Sequence, residues 1–307
     1  MAHVYGEHLA CGGKIIDYLW ARFARIYPLH LVCLGLVVII AFTYPHFVPN
    51  VKDGSWQTFM AWRAIPSNLL LTHAMNQHVY LSWDIVSWSI GAEWWTYIAT
   101  FVLVISLHKG PAWGGFAGMF VGFGLLTALV YVLPAHNLDI TFNWGFFRCL
   151  FEIIIGLSVY RIYREGGFSW TRHDGVVLAL LAAVAITFHF RLNDLVVVPV
   201  FCLLILGISR NTGKVHHLLR TGPLQYLGNV SYSLYLVHGV VFSAFWFLLP
   251  WIKTTHGVFN ATERVAYAAT FTVVVLGVST LTYRFVERPA RLWLLSFRRE
   301  TSQRHHV

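Results

Sequence analysis

The chain has 307 residues, of which 57% are hydrophobic and 11% charged, and its mean hydropathy is +0.61. A soluble domain carries about 25% charged residues, so this composition cannot cover a water-facing surface, and a soluble globular protein is excluded. The formal charge of +9 and the pI near 9.5 come from basic residues that flank apolar segments. That is the membrane-topology pattern, and nucleic acid is not an expected partner.

Eight apolar segments are expected to be spanning helices, at roughly 29–48, 88–107, 114–133, 144–163, 174–190, 195–209, 229–249 and 265–285. A helix needs about 20 apolar residues to cross the bilayer. The sixth is short, and it pairs with the fifth through Arg191-Leu-Asn-Asp194. With the N-terminus in the cytoplasm, 16 of the 22 Lys and Arg residues fall on the cytoplasmic side. The fold class is therefore all-α: a polytopic transmembrane helix bundle of about eight spans with both termini cytoplasmic, in a lipid bilayer. Residues 1–293 read as one transmembrane domain and 294–307 as a basic, mobile cytoplasmic tail. The polar start of the chain, with His3, Glu7 and His8, does not read as a cleavable signal peptide.

Arg22 and Arg25 are three apart and share a helix face, ahead of Pro28, which is expected to break the helix before the first span. Two guanidiniums on one face suit a polyphosphate, or else anchor the next helix by the positive-inside rule. The outer segment 49–87 is rich in Trp, His and Asn, with Trp56, Trp62, Asn68, His73, His78 and Trp83. Leu69-Leu-Leu71 there, beside Trp62 and Ile65, suits an interfacial helix. Asp84 is placed to cap the helix that begins near Trp88.

Trp88, Ser89 and Glu93 open the second span. A carboxylate there must be paired, hydrated or neutral. Glu93 either handles a substrate hydroxyl or pairs with an arginine such as Arg148, and the tryptophans suit an interfacial belt. Arg148 and Glu152 are four apart, which fits a structural pair and a polar substrate track equally. Ser231, Tyr235 and His238 form a polar stripe along the seventh span, and His238 suits both proton transfer and hydrogen-bonded packing. Cys11, Cys33, Cys149 and Cys202 stand singly, so neither a metal site nor a disulfide is expected.

Taken in order, Arg22-Phe-Ala-Arg25-Ile-Tyr-Pro28, Trp88-Ser-Ile-Gly-Ala-Glu93, Ser231-Tyr-Ser-Leu-Tyr-Leu-Val-His238 and Tyr283-Arg-Phe-Val-Glu287-Arg-Pro289 resemble the motifs of the acyltransferase 3 family of membrane-bound O-acyltransferases. The resemblance runs from about residue 14 to residue 293. It implies acyl transfer, often acetyl, from acyl-CoA as co-substrate to a hydroxyl of a carbohydrate or other acceptor, with no tightly bound cofactor. It places Arg22 and Arg25 on the acyl-CoA phosphates. Glu93 and His238 become the candidate catalytic residues, and Trp88, Ser89, Arg148, Glu152 and Tyr235 the candidate substrate channel. It also implies a bacterial inner membrane.

The family pattern has two earlier helices, the first carrying a basic residue and, eleven positions on, a histidine base. His3, His8 and His30 do not fit that spacing. The expectation is thus a chain lacking those helices, with Met1 internal and with weak activity or none. A transporter or flippase, which would use Glu93, Arg148 and His238 as a polar pathway, and a non-catalytic remnant are the alternative readings.

Overall fold

The computed structural model describes residues 15–47, 59–111, 113–257 and 259–304. Trp56, Cys11, His3 and His8 lie outside them. Among the described residues every regular element is helical. The α-helices are α1 (Ile15–Phe47), α2 (Ile65–Leu69), α3 (Trp88–Ala99), α4 (Phe101–Lys109), α5 (Gly114–Val132), α6 (Gly145–Arg164), α7 (Asp174–His189) and α8 (Asp194–Arg210). They are followed by α9 (Lys214–Leu219), α10 (Gly222–His256), α11 (Ala261–Thr282), a π-helical turn at Tyr283–Glu287, and α12 (Arg288–Arg304).

Five stretches among the described residues are long and apolar enough to cross a membrane: Ile15–Thr43, Trp88–Ser106, Gly114–Val132, Gly222–Leu249 and Ala261–Arg298. The other three expected spans are helices too, α6, α7 and α8. Phe120, Val132 and Val273 are each more than two-thirds exposed. In water such faces would drive aggregation; on a spanning helix they meet lipid.

The chain divides into two compact units. One comprises Thr96–Ile140 and Trp144–Gly228, with the residues up to Ile15. Its core is Leu126, Val130, Ile140, Ile155, Val159, Ile162, Leu195 and Leu206. Helices in lipid gain little from apolar burial, so close backbone approach at small residues matters more. Gly122 supplies it: a Cβ there would lie 2.8 Å from Ile155 Cγ1. Asn193 caps α8 by accepting the Leu195 N–H at 2.9 Å, which closes the tight turn from α7.

The second unit comprises Ile16–Trp95, Thr141–Asn143 and Asn229 onward. Here α1 is one helix of 33 residues that runs through Pro28, so the expected break is corrected. Proline removes one helical hydrogen bond, the one to the Ala24 carbonyl four residues back, and spanning helices tolerate such a loss. Two residues before Pro28, the Ile26 carbonyl accepts the Tyr232 hydroxyl at 2.7 Å. The segment after Trp293, expected to be mobile, continues as helix to Arg304. It is pinned to α1 by Trp20 Nε1 donating to the Leu294 carbonyl at 2.8 Å and by the Arg298–Asp17 ion pair. In the outer segment, Trp62–Ala64 and α2 form only short turns; Leu69 and Leu70 are exposed, whereas Leu71 is buried.

Candidate functional site

The second unit joins all four sequence motifs, because the Ser231–His238 motif hydrogen-bonds each of the other three. On α3, Ser89 and Glu93 are one turn apart. Ser89 Oγ lies 2.6 Å from the Tyr235 hydroxyl of α10, which also donates to the Val86 carbonyl at 3.1 Å. The charges of Glu93, Glu287 and Arg25 all act on Tyr232, the residue that grips α1 at Ile26. Ser233, next along α10, is fully buried and donates to Glu287 Oε2 at 2.6 Å. Arg25 and Arg291 in turn lie within electrostatic reach of Glu287. One dipeptide, Tyr232-Ser233, therefore ties α10 to α1 on one side and to the π-helical turn on the other. Single-turn π segments interrupt helices most often at functional sites; here the Arg288 N–H bonds the Tyr283 carbonyl and Glu287 turns inward.

His238 sits one turn beyond Leu234, with Nδ1 3.3 Å from that residue's carbonyl. The hydrogen bond assigns the Nδ1–H tautomer, which leaves Nε2 as the lone-pair nitrogen. The Tyr235 ring packs edge-on against it, centroids 5.6 Å apart. Arg22 is partly buried on α1 with its guanidinium 5.8 Å from the Tyr18 ring centroid, whereas Arg25 is exposed. Trp88 begins α3 and is half-buried.

Arg148 and Glu152 belong to the first unit. Their ion pair measures 2.8 Å, and Arg148 Nη1 also donates to the carbonyls of Leu138 (2.6 Å) and Ile140 (3.3 Å). Those bonds hold the turn before α6.

The sequence reading missed a polar cluster buried under the outer segment. His30 Nε2 meets the Asn68 carbonyl at 3.0 Å, and its ring stacks on His73 at 6.3 Å. His73 reaches Ser87 Oγ at 3.1 Å, Asn68 donates to Ser82 at 2.9 Å, and His78 meets Ser67 at 2.7 Å. Burial, then the nearby His30, holds His73 down to about 4. Asp84 is fully buried, and neither carboxyl oxygen has a hydrogen-bond partner among the described residues. It therefore does not cap α3, which corrects that expectation. Its Oδ1 lies 2.4 Å from where a Cβ on Gly239 would stand. Burial pushes its carboxyl up to about 7, opposed by the Val86 amide, which is close but outside hydrogen-bonding geometry. Trp83 precedes it in the left-handed region at φ 56°, a conformation that costs a bulky residue about 1–3 kcal/mol. Two bonds hold it there: its N–H to Phe59 O at 2.7 Å and Nε1 to Ala61 O at 3.0 Å. The readable signal was Asp84 set between Trp83 and Ile85-Val86, a carboxylate with apolar neighbours.

Among the described residues, no group of three or more His, Cys, Asp or Glu could hold a metal ion. The acyltransferase domain family model matches residues 9–284. The acyltransferase MdmB of Streptomyces mycarofaciens is 28% identical over 242 residues, which cover 72% of this chain and 60% of that protein. The chain thus spans about 60% of the length of this curated relative. No solved structure matches the chain. With four motifs in order, an all-helical fold with membrane-length apolar helices and a family match over most of its length, the chain belongs to the acyltransferase 3 family.

Proposed function

We propose that the chain is a membrane-embedded O-acyltransferase that moves an acyl group, acetyl in the simplest case, from acyl-CoA to a hydroxyl of a carbohydrate or related acceptor. The observation that carries this reading is the joining of the four motifs by the Tyr232–Ile26, Ser89–Tyr235 and Ser233–Glu287 hydrogen bonds in a chain of this family. Arg22 and Arg25 present guanidiniums to the donor phosphates, which they can grip bidentately. The acceptor oxygen attacks the thioester carbonyl, a C–O bond forms, the C–S bond breaks, and the departing thiolate takes up a proton. His238 Nε2 is the group suited to accept the hydroxyl proton as that bond forms. Glu93, Ser89 and Tyr235 orient the acceptor, and Trp88 walls its path. The excess of Lys and Arg on one side supports eight spans with both termini cytoplasmic, and the family resemblance points to a bacterial inner membrane.

The test is acetyl transfer from labelled acetyl-CoA to a panel of glycans and small hydroxyl compounds, using protein purified into nanodiscs. The Arg22→Ala/Arg25→Ala pair is expected to raise the donor KM at least tenfold, and His238→Gln to lower kcat by about a hundredfold or more. An unchanged donor KM in the arginine pair removes their donor role. Absence of acyl-CoA binding, together with solute movement across vesicles, gives a transporter instead.

A further inference from the structure

Arg25 and Arg291 stand on different helices, 266 positions apart, yet both are exposed and both lie within electrostatic reach of one buried carboxylate, Glu287. That carboxylate does not float. Ser233 donates to its Oε2 at 2.6 Å, and the π-helical turn ends on it. Arg25 is held by its neighbour, because Ile26 accepts from Tyr232, the residue adjoining Ser233. Arg291 is held one turn ahead of Leu294, whose carbonyl accepts from Trp20 of α1. Together with the Arg298–Asp17 ion pair, these bonds hold α1 and the last helix side by side around Glu287, with Arg25 and Arg291 on the two helices. A single exposed arginine would need none of them.

Two exposed guanidiniums on helices that are bonded to one another, with a buried carboxylate beside both, suit a ligand with two linked anionic phosphates. We propose that Arg291 shares the pyrophosphate of the acyl donor with Arg25, and that Glu287 is the positioning residue that keeps the two arginines facing one group. This rests on the donor reading given above. It adds a binding residue from the last helix and gives the closing Tyr283–Pro289 motif a task. The phosphate chemistry is shared by a free nucleotide donor and by an anionic lipid headgroup, and the lipid composition separates them.

The experiment measures coenzyme A binding by calorimetry on the purified full chain, in nanodiscs of phosphatidylcholine alone and with phosphatidylglycerol added. Arg291→Ala is expected to weaken coenzyme A binding by about ten- to a hundredfold in phosphatidylcholine, and Arg291→Lys less, since it keeps the charge but loses the fork. The Arg25→Ala/Arg291→Ala double variant should lose less than the product of the single losses, because both grip one group. Glu287→Gln keeps an acceptor for Ser233 and the shape, yet should raise the donor KM several-fold at unchanged kcat and unchanged thermal midpoint.

Weaker binding in Arg25→Ala alone, with Arg291→Ala at wild-type affinity, overturns the shared cradle and leaves the donor reading standing. Wild-type affinity in both overturns both. Loss of phosphatidylglycerol retention by Arg291→Ala, without loss of coenzyme A, assigns Arg291 to the lipid headgroup and overturns the proposal. Tighter donor binding in Glu287→Gln makes the carboxylate a competitor and overturns its positioning role.

Discussion

Asp84→Asn tests whether the buried carboxyl titrates inside the fold. In the folded chain the Asp84 carboxyl is pushed from 3.8 to about 7, so stability falls as pH rises between those values and levels off above. His73 runs the other way: lowered from 6.5 to about 4, it makes stability fall as pH drops between those values. From pH 5 to pH 8, linkage gives a loss of about 2–3 kcal/mol from Asp84 and a gain of about 2 kcal/mol from His73. The two nearly cancel, and the wild-type profile is expected to be flat. Asp84→Asn removes the first contribution, and the variant should gain stability with pH, roughly 4–8 °C in thermal midpoint across that interval. His73→Gln should show the opposite slope. The assay is thermal unfolding in nanodiscs at pH 5, 6, 7 and 8. Every other titrating group is common to the compared curves, so parallel profiles for wild type and Asp84→Asn would refute the reasoning.

Gly122→Ala places a Cβ 2.8 Å from Ile155 Cγ1. It should force α5 and α6 apart at a cost of about 1–3 kcal/mol, read as a lower thermal midpoint. Arg148→Gln strips two carbonyls and Glu152 of their donor. It should lower stability by about 1–3 kcal/mol while leaving the donor KM unchanged; a changed KM at unchanged stability would favour the substrate-track reading. Tyr235→Phe removes the bonds to Ser89 and Val86. It should cost about 1 kcal/mol and raise the acceptor KM more than the donor KM, measured by steady-state kinetics.

Composition and apolar segment length determined that this chain is an all-α membrane protein, because a bilayer admits few other ways to satisfy a backbone. Most helix positions followed to within a few residues, since hydrophobicity along the chain reports burial in lipid directly, whereas α1 begins at Ile15 rather than near 29 and α10 extends about seven residues beyond the expected span at each end. Pro28 misled because a proline reads as a break, whereas a helix can carry one at the loss of a single backbone hydrogen bond, and α1 runs through it. The four motifs were legible as motifs from residue type and spacing. Only the tertiary structure decided what they touch: Ser233 holds Glu287 across 54 positions and Tyr232 holds Ile26 across 206. The apolar neighbours of Asp84 in the chain pointed to burial, but its lack of a hydrogen-bond partner depends on Gly239 of a distant helix closing over it. Local pattern dictates which segments become helices; which polar groups meet depends on contacts between segments far apart in the chain, and no local spacing encodes them.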